Sequence, residues 1–516
     1  MGIGLALTSF VTLALTAACT VGPSQRPSLV IEGAQPSTTT SATAAPGKEA
    51  LPPLEKPSNA SIDWSDCTGQ TRARLGTPAP PGSLTFQCAR VVGPLDPTQP
   101  DGGIARLALL KVGTGPTPLV VVNDLTGLPG SLYAARLAAQ LPASFLKTYS
   151  LIGLDRRGTG GSDGVHCVPQ VDRDEIVGYD PARTNLNDLL SASLDASQQC
   201  VLALDNRASS LDTVHTVADL DLLRQELGLT RLNAIGHGEG SRVLTVYADK
   251  YPAQVGRFVL DGSPDPSLSS TDSAQAGAAA AEATFNAFAT QCVNAGNCPL
   301  GNDPRTALTQ LIAQLRTQSL TTSDGYQLTP GSALQAVLTG LASQASWPGL
   351  ATAIAQARTG DGTGLEALVS PISDSSQYDP ARLDADLVSG CNDEQGRPAP
   401  GQVSSLVTAW GAKQPLFGAL YAQGLLWCAP WPVPEQPLPA PNAPGTPPIL
   451  VLSTANDPVT PAAGSQRTAA DLANGVLVSW QGSGHGALGQ SSCATTAATK
   501  FLINGQVPQN FTSCPA

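Results

Sequence analysis

Basic runs are missing from this 516-residue chain. Lys and Arg total 28 against 40 Asp and Glu, the net charge is −12, and five consecutive basic residues occur nowhere. That balance excludes nucleic acid as a partner. It favours solubility and leaves mechanism open. Metal-ligand spacing is missing too. No C-x-x-C and no close His/Cys cluster occurs, so neither a metal nor any other cofactor is expected. Past the amino-terminal segment, no apolar run is long enough to cross a bilayer. Histidine is scarce, at four, which makes a histidine in a catalytic spacing informative.

Cysteine is plentiful, and one of the eleven stands apart. Cys19 closes the apolar run Ser9 to Ala18, which ends in small residues as a secretory signal does. A cysteine in that place resembles the lipobox of bacterial lipoproteins, although Thr16 stands where leucine is usual and no Lys or Arg precedes the run. The expectation is a signal peptide over 1–18, lipid attachment at Cys19, and an extracytoplasmic protein anchored to the membrane. The alternative is an ordinary signal peptide and a secreted chain. The other ten cysteines suit disulfides in an oxidising compartment. Sequence leaves the pairing open; short-range pairs (67–88, 167–200, 292–298, 391–428, 493–514) are favoured because each brackets one local segment.

Residues 19–60 are rich in Pro, Ser and Thr and read as an extended tether with no core. Beyond them, Leu119–Val122, Tyr149–Leu154, Leu232–Ile235, Phe258–Leu260 and Ile449–Leu452 read as buried parallel strands. Helical patterns alternate with them, such as Thr213–Leu227, which Gly228 stops. The fold class is therefore α/β: a mostly parallel sheet with helices on both faces. Residues 266–430, rich in Ala, Gln and Thr, show helical spacing without convincing strands. They read as a helical cap inserted between two parts of the sheet domain, 61–265 and 431–516.

One absence decides the chemistry. The strand Leu232–Ile235 runs into Gly236-His237-Gly238-Glu239-Gly240 and then into an amphipathic helix. Strand, tight turn and helix form the nucleophile elbow G-x-S-x-G of α/β hydrolases, but Gly238 holds the serine's position. The acid and base follow in the order that fold requires. Asp457 lies just beyond the strand Ile449–Leu452, and His485 lies in Gly482-Ser483-Gly484-His485-Gly486. Such an acid orients the imidazole, which takes the nucleophile's proton.

These residues, with Asp155-Arg156-Arg157-Gly158-Thr159-Gly160-Gly161-Ser162, Val259-Leu260-Asp261-Gly262 and Trp427-Cys428-Ala429-Pro430-Trp431-Pro432, resemble the secreted actinobacterial α/β-hydrolase exopeptidases, the tripeptidyl-aminopeptidase and proline-iminopeptidase-like group. The resemblance spans most of residues 61–516. It implies an α/β-hydrolase fold with an inserted cap, and an ancestral reaction that removes short peptides or amino acids from free N-termini. It implies a peptide or a small ester- or amide-like molecule as ligand. The departures fall on the catalytic parts. Asn123-Asp124-Leu125-Thr126-Gly127-Leu128-Pro129-Gly130-Ser131 carries fewer glycines than the family's oxyanion loop. Gly127 and Glu239 remain the candidate oxyanion donors. Ser241 is an alternative nucleophile, although a helix-start role suits it better. Ser162 and His237 are weaker candidates for the same task. Two functions follow: a hydrolase whose serine mechanism is lost or rerouted, or a non-catalytic envelope lipoprotein that binds peptides or a protein partner in the old pocket. Oligomeric state is not legible.

Overall fold

The computed structural model describes residues 50–76, 81–375, 379–434 and 437–516. Cys19 and the signal segment lie outside the described residues. The strands are β1 (Ser65–Asp66), β2 (Phe86–Asp96), β3 (Gln99–Val112), β4 (Thr117–Val122), β5 (Tyr149–Leu154), β6 (Leu232–His237), β7 (Val255–Asp261), β8 (Leu320–Thr321), β9 (Gln327–Leu328), β10 (Ile449–Asn456), β11 (Gly475–Ser483) and β12 (Thr512–Cys514). Ten of them form one sheet in the order β1-β2-β3-β5-β4-β6-β7-β10-β11-β12. The pairs from β5 through β12 are parallel, and β1, β2 and β3 add an antiparallel flank.

The apolar runs become central strands because both of their faces are covered. Along β4, Leu119 and Val121 pack into one core while Val120 and Val122 pack into the other. Successive side chains of a strand point to opposite faces, so an unbroken run of branched apolar residues requires helices on both sides. Helix Gly130–Gln140 covers one face; helices Thr213–Glu226 and Glu239–Lys250 cover the other. In helix Thr213–Glu226, Val217, Leu220 and Leu223 form the buried face, while Val214 is exposed.

The cap is larger than one insertion. Helices between β7 and β10 share a third core with helices Gln170–Gly178 and Asn187–Leu204, which lie between β5 and β6. Ile176, Leu189 and Ala196 pack in the same cluster as Phe285, Leu334 and Val388. Asp384, fully buried, ties the two pieces together: it accepts the Cys167 and Val168 amides at 2.8 and 3.0 Å and pairs with Arg173 at 3.0 Å. Residues 61–265 are therefore not core throughout. The cap also holds the short antiparallel ribbon β8–β9 where no strand was expected.

The tether ends earlier than residue 60. Leu51 and Leu54 pack against the core, Arg257 donates to the Pro52 carbonyl, and the Glu55 carboxylate accepts the Thr230 amide at 2.9 Å. Ser58 N–H donates to the Gly228 carbonyl at 3.2 Å. A Cβ at Gly228 would lie 1.8 Å from the Ser58 carbonyl oxygen, so that glycine permits the docking as well as ending its helix. Composition alone hid these backbone pairings.

The five disulfides are Cys67–Cys88, Cys167–Cys200, Cys292–Cys298, Cys391–Cys428 and Cys493–Cys514, the short-range set. They indicate an extracytoplasmic setting. Among the described residues, no helix is long and apolar enough to cross a membrane.

Arg157 of the Asp-Arg-Arg-Gly loop forks onto Asp219, with bonds of 2.6 and 2.8 Å between side chains that are each 3% exposed. It also donates to the Pro94 carbonyl at 3.0 Å, joining three segments. Asp219→Ala leaves this guanidinium buried without its counter-charge, and roughly 3–5 kcal/mol of stability is expected to be lost. A denaturant titration followed by circular dichroism checks the size of the drop.

Candidate active site

Asp124, His237, Asp457 and His485 sit at the carboxyl edge of the parallel strands, where open α/β sheets place their ligands. Asp124 follows β4, His237 ends β6, Asp457 follows β10 and His485 follows β11. The cap stands opposite and closes a cavity of about 600 Å³ lined by Asp124, Gly127, Asp386, Glu394, Tyr421 and His485 among others.

The fold brings Asp457 and His485 into contact. His485 Nδ1 lies 3.0 and 3.1 Å from the two carboxylate oxygens of Asp457. Asp457 is 1% exposed, and it accepts the amides of Val459, Thr460 and Gly486 at 2.9, 2.8 and 3.0 Å. Its charge is fully compensated, so its position is fixed before any ligand arrives.

The elbow is built, with no nucleophile on it. Gly238 adopts φ 55° and ψ −123° between β6 and helix Glu239–Lys250. A nucleophile serine must hold such a positive φ against steric strain; glycine holds it without cost. The space above it is filled. A Cβ at Gly238 would lie 1.8 Å from Asp124 Oδ1. The Asp124 carboxylate therefore occupies the space that a side chain at residue 238 would need. Its Oδ2 lies 2.9 Å from His485 Nε2, and its Oδ1 accepts the Glu239 amide at 2.7 Å. That amide is one of the two candidate oxyanion donors, and Asp124 has engaged it. The Glu239 carboxylate turns away, accepting the Leu125 amide at 3.4 Å and facing the buried Arg156 at 3.8 Å. Gly127 lines the cavity wall, where an added Cβ would meet Asn123 Nδ2 at 2.6 Å.

Charge follows this geometry. Burial alone would lower the His485 pKa, but the Asp457 and Asp124 carboxylates carry it well above its ordinary value. Burial would raise Asp124, yet His485, with His237 and the Glu239 amide, brings it down to about 2. The centre of the site is thus an imidazolium between two carboxylates. Asp386 on the cap wall moves the other way: the cavity withholds it from bulk water, Glu239 and Asp124 repel its charge, and its pKa rises to about 8.

The alternative nucleophiles are placed elsewhere. Ser241 is fully buried and donates to the Gly236 carbonyl at 2.9 Å, so it braces the elbow's own turn and cannot meet a substrate. Ser162 donates to the Asp155 carbonyl at 2.7 Å and accepts the Ala108 amide at 2.8 Å, a loop-closing role.

His237 and Asp124 were underread from sequence. His237 stacks on Tyr133 with centroids 4.8 Å apart, and its Nδ1 lies 3.3 Å from Asp261 Oδ2. Its ring centroid is 4.2 Å from that of His485. The available signal for Asp124 was a paired one: an aspartate in the loop after β4 of a chain whose elbow carries glycine at 238. The expectation of no metal-ligand cluster rested on spacing along the chain, and the fold departs from it. Asp124, His237 and His485 each bring a ligand atom to within 4.8 Å of the others.

The family model described as TAP-like protein matches residues 414–514, the segment that carries Asp457 and His485. Serine protease Hip1 of Mycobacterium tuberculosis is 27% identical over 484 residues, covering 88% of this chain and 91% of that protein. Carboxylesterase B of the same organism is 27% identical over 478 residues, covering 83% and 86%. The tripeptidyl aminopeptidase of Streptomyces coelicolor is 28% identical over 219 residues, covering 40% of this chain and 39% of its own. The chain is an α/β hydrolase by fold, and its likeness is to hydrolases of the peptidase type.

Proposed function

We propose that this is an exported protein, held at the membrane by a lipid on Cys19, that captures short peptides by their free amino termini and does not perform serine acyl transfer. The observation that carries the reading is the Asp124 carboxylate, which stands 1.8 Å from where a Cβ of residue 238 would be. Loss of a triad serine alone costs on the order of 10⁶-fold in kcat. Here the oxyanion amide is engaged as well, so the residual rate that such a donor supports is removed.

The cavity supports capture of a cation. Asp124, Asp265, Asp386 and Glu394 line it, against Arg382 and the His485 imidazolium as basic counterparts, with Leu268, Leu338, Ile372 and Leu425 as apolar wall. The Asp386 carboxyl, short of counter-charge, gains its partner when an ammonium enters, and the apolar wall accepts short side chains.

Two measurements test this. With a fluorophosphonate probe, the native protein and Gly238→Ser are expected to remain unlabelled, because the added side chain collides with Asp124. Gly238→Ser combined with Asp124→Gly is expected to take label at residue 238. Labelling of the native chain would overturn the reading. In titration calorimetry, a free-amine tripeptide is expected to bind more tightly than its N-acetylated form. Asp386→Asn is expected to weaken the free-amine peptide by about ten- to a hundredfold, the range of a charge-assisted hydrogen bond, and to leave the acetylated one unchanged.

A further inference from the structure

We infer that Asp124, His237 and His485 form a binding site for a borderline divalent transition metal of the zinc class, at the place the serine has left. The inference is independent of whether peptides bind. Three side chains from three separate loops converge on one point. Asp124 Oδ2 lies 2.9 Å from His485 Nε2 and 3.9 Å from His237 Nε2. Ligand atoms about 2.0–2.1 Å from a tetrahedral ion stand roughly 3.3 Å apart; the two separations from Asp124 bracket that value, and all three ligand atoms lie within 4.8 Å of one another, so the two imidazoles draw together around an ion.

The outer contacts are an independent indication. A metal-ligating histidine fixes its tautomer by donating its other ring N–H to a carboxylate or carbonyl. Both histidines do so. His485 Nδ1 meets Asp457 at 3.0 Å, and His237 Nδ1 meets Asp261 at 3.3 Å, which leaves each Nε2 turned to the common point; an ion bound there takes the place of the Nε2 proton that His485 shares with Asp124 and releases it to solvent. Asp261 is itself fully buried and accepts the Ala487 and Leu488 amides at 2.7 and 3.2 Å. A hydrolase triad needs one such carboxylate–histidine pair; this site has two, aimed at a third carboxylate.

The backbone makes room for the second histidine. Gly486 has φ +70°, and a Cβ there would lie 2.5 Å from His237 Cε1 and 2.6 Å from Asp261 Oδ2. Without a glycine at 486, His237 and Asp261 could not sit beside His485. Two imidazoles and one carboxylate suit zinc, cobalt and ferrous iron, while calcium and magnesium prefer all-oxygen sets. Three protein ligands leave a position toward the cavity, the arrangement of metal sites that take up water or a ligand oxygen.

The test uses the full chain, without a histidine tag, stripped with chelator and dialysed. Elemental analysis after gel filtration is expected to find one equivalent of Zn²⁺ per chain. Co²⁺ is expected to give the visible absorption of a four-coordinate ion. His237→Gln and Asp124→Asn are each expected to abolish stoichiometric uptake. Asp261→Asn, which changes only an outer contact, is expected to weaken Zn²⁺ binding by about 10–100-fold. If a ligand variant fails to fold by circular dichroism, His485→Gln replaces it. Uptake well below one equivalent by the native chain, or one equivalent retained unchanged in the ligand variants, overturns the inference.

Discussion

The Asp124 carboxylate is the contact around which the site is arranged. One oxygen faces the His485 imidazole and the other accepts the amide that follows the elbow. Three loops that never meet along the chain are joined through one side chain. The glycine at 238 and the aspartate at 124 are then one steric arrangement. An aspartate in this position leaves no volume for any side chain at residue 238, and a glycine at 238 leaves a hole that only a neighbour's side chain can fill.

The surroundings keep this arrangement rigid. Asp457 and Asp261 are saturated by backbone amides, so each histidine has a fixed anchor on its far side. Tyr133 stacks on His237 and stops the ring from turning. The cap brings an apolar wall and a carboxyl that lacks compensation, Asp386, to the same cavity. A site that is pre-organised at its floor and electrostatically unsatisfied at its roof is suited to holding a cationic guest between them.

Much of this was legible in the sequence, for identifiable reasons. Asp457 and His485 were found because the order of elements constrains them: each must follow a strand at the sheet's carboxyl edge. The central strands were found because burial on two faces leaves an unbroken apolar run. Asp124 was visible only as a departure, since nothing local says that a loop aspartate reaches across to a glycine more than a hundred residues on. His237 stayed obscure for the same reason, its partner Asp261 lying at the end of the next strand. The cap was underestimated because helices 170–204 look like ordinary crossover helices until their apolar faces are seen to pack on Phe285 and Leu334. Residues 51–60 were misread because a Pro-rich segment can dock through its backbone and a few side chains, such as Leu51, Leu54 and Glu55, which composition does not report.

That docked segment has a mechanical consequence. It meets the domain at Thr230 and Gly228, just before β6, and at Arg257 near the start of β7. These are the amino ends of strands whose carboxyl ends carry the site. Tension applied upstream of residue 50 would load the strap between Pro52 and Ser61 and the strand starts beneath it. The elbow, the histidines and the cap lie at the opposite ends of those strands.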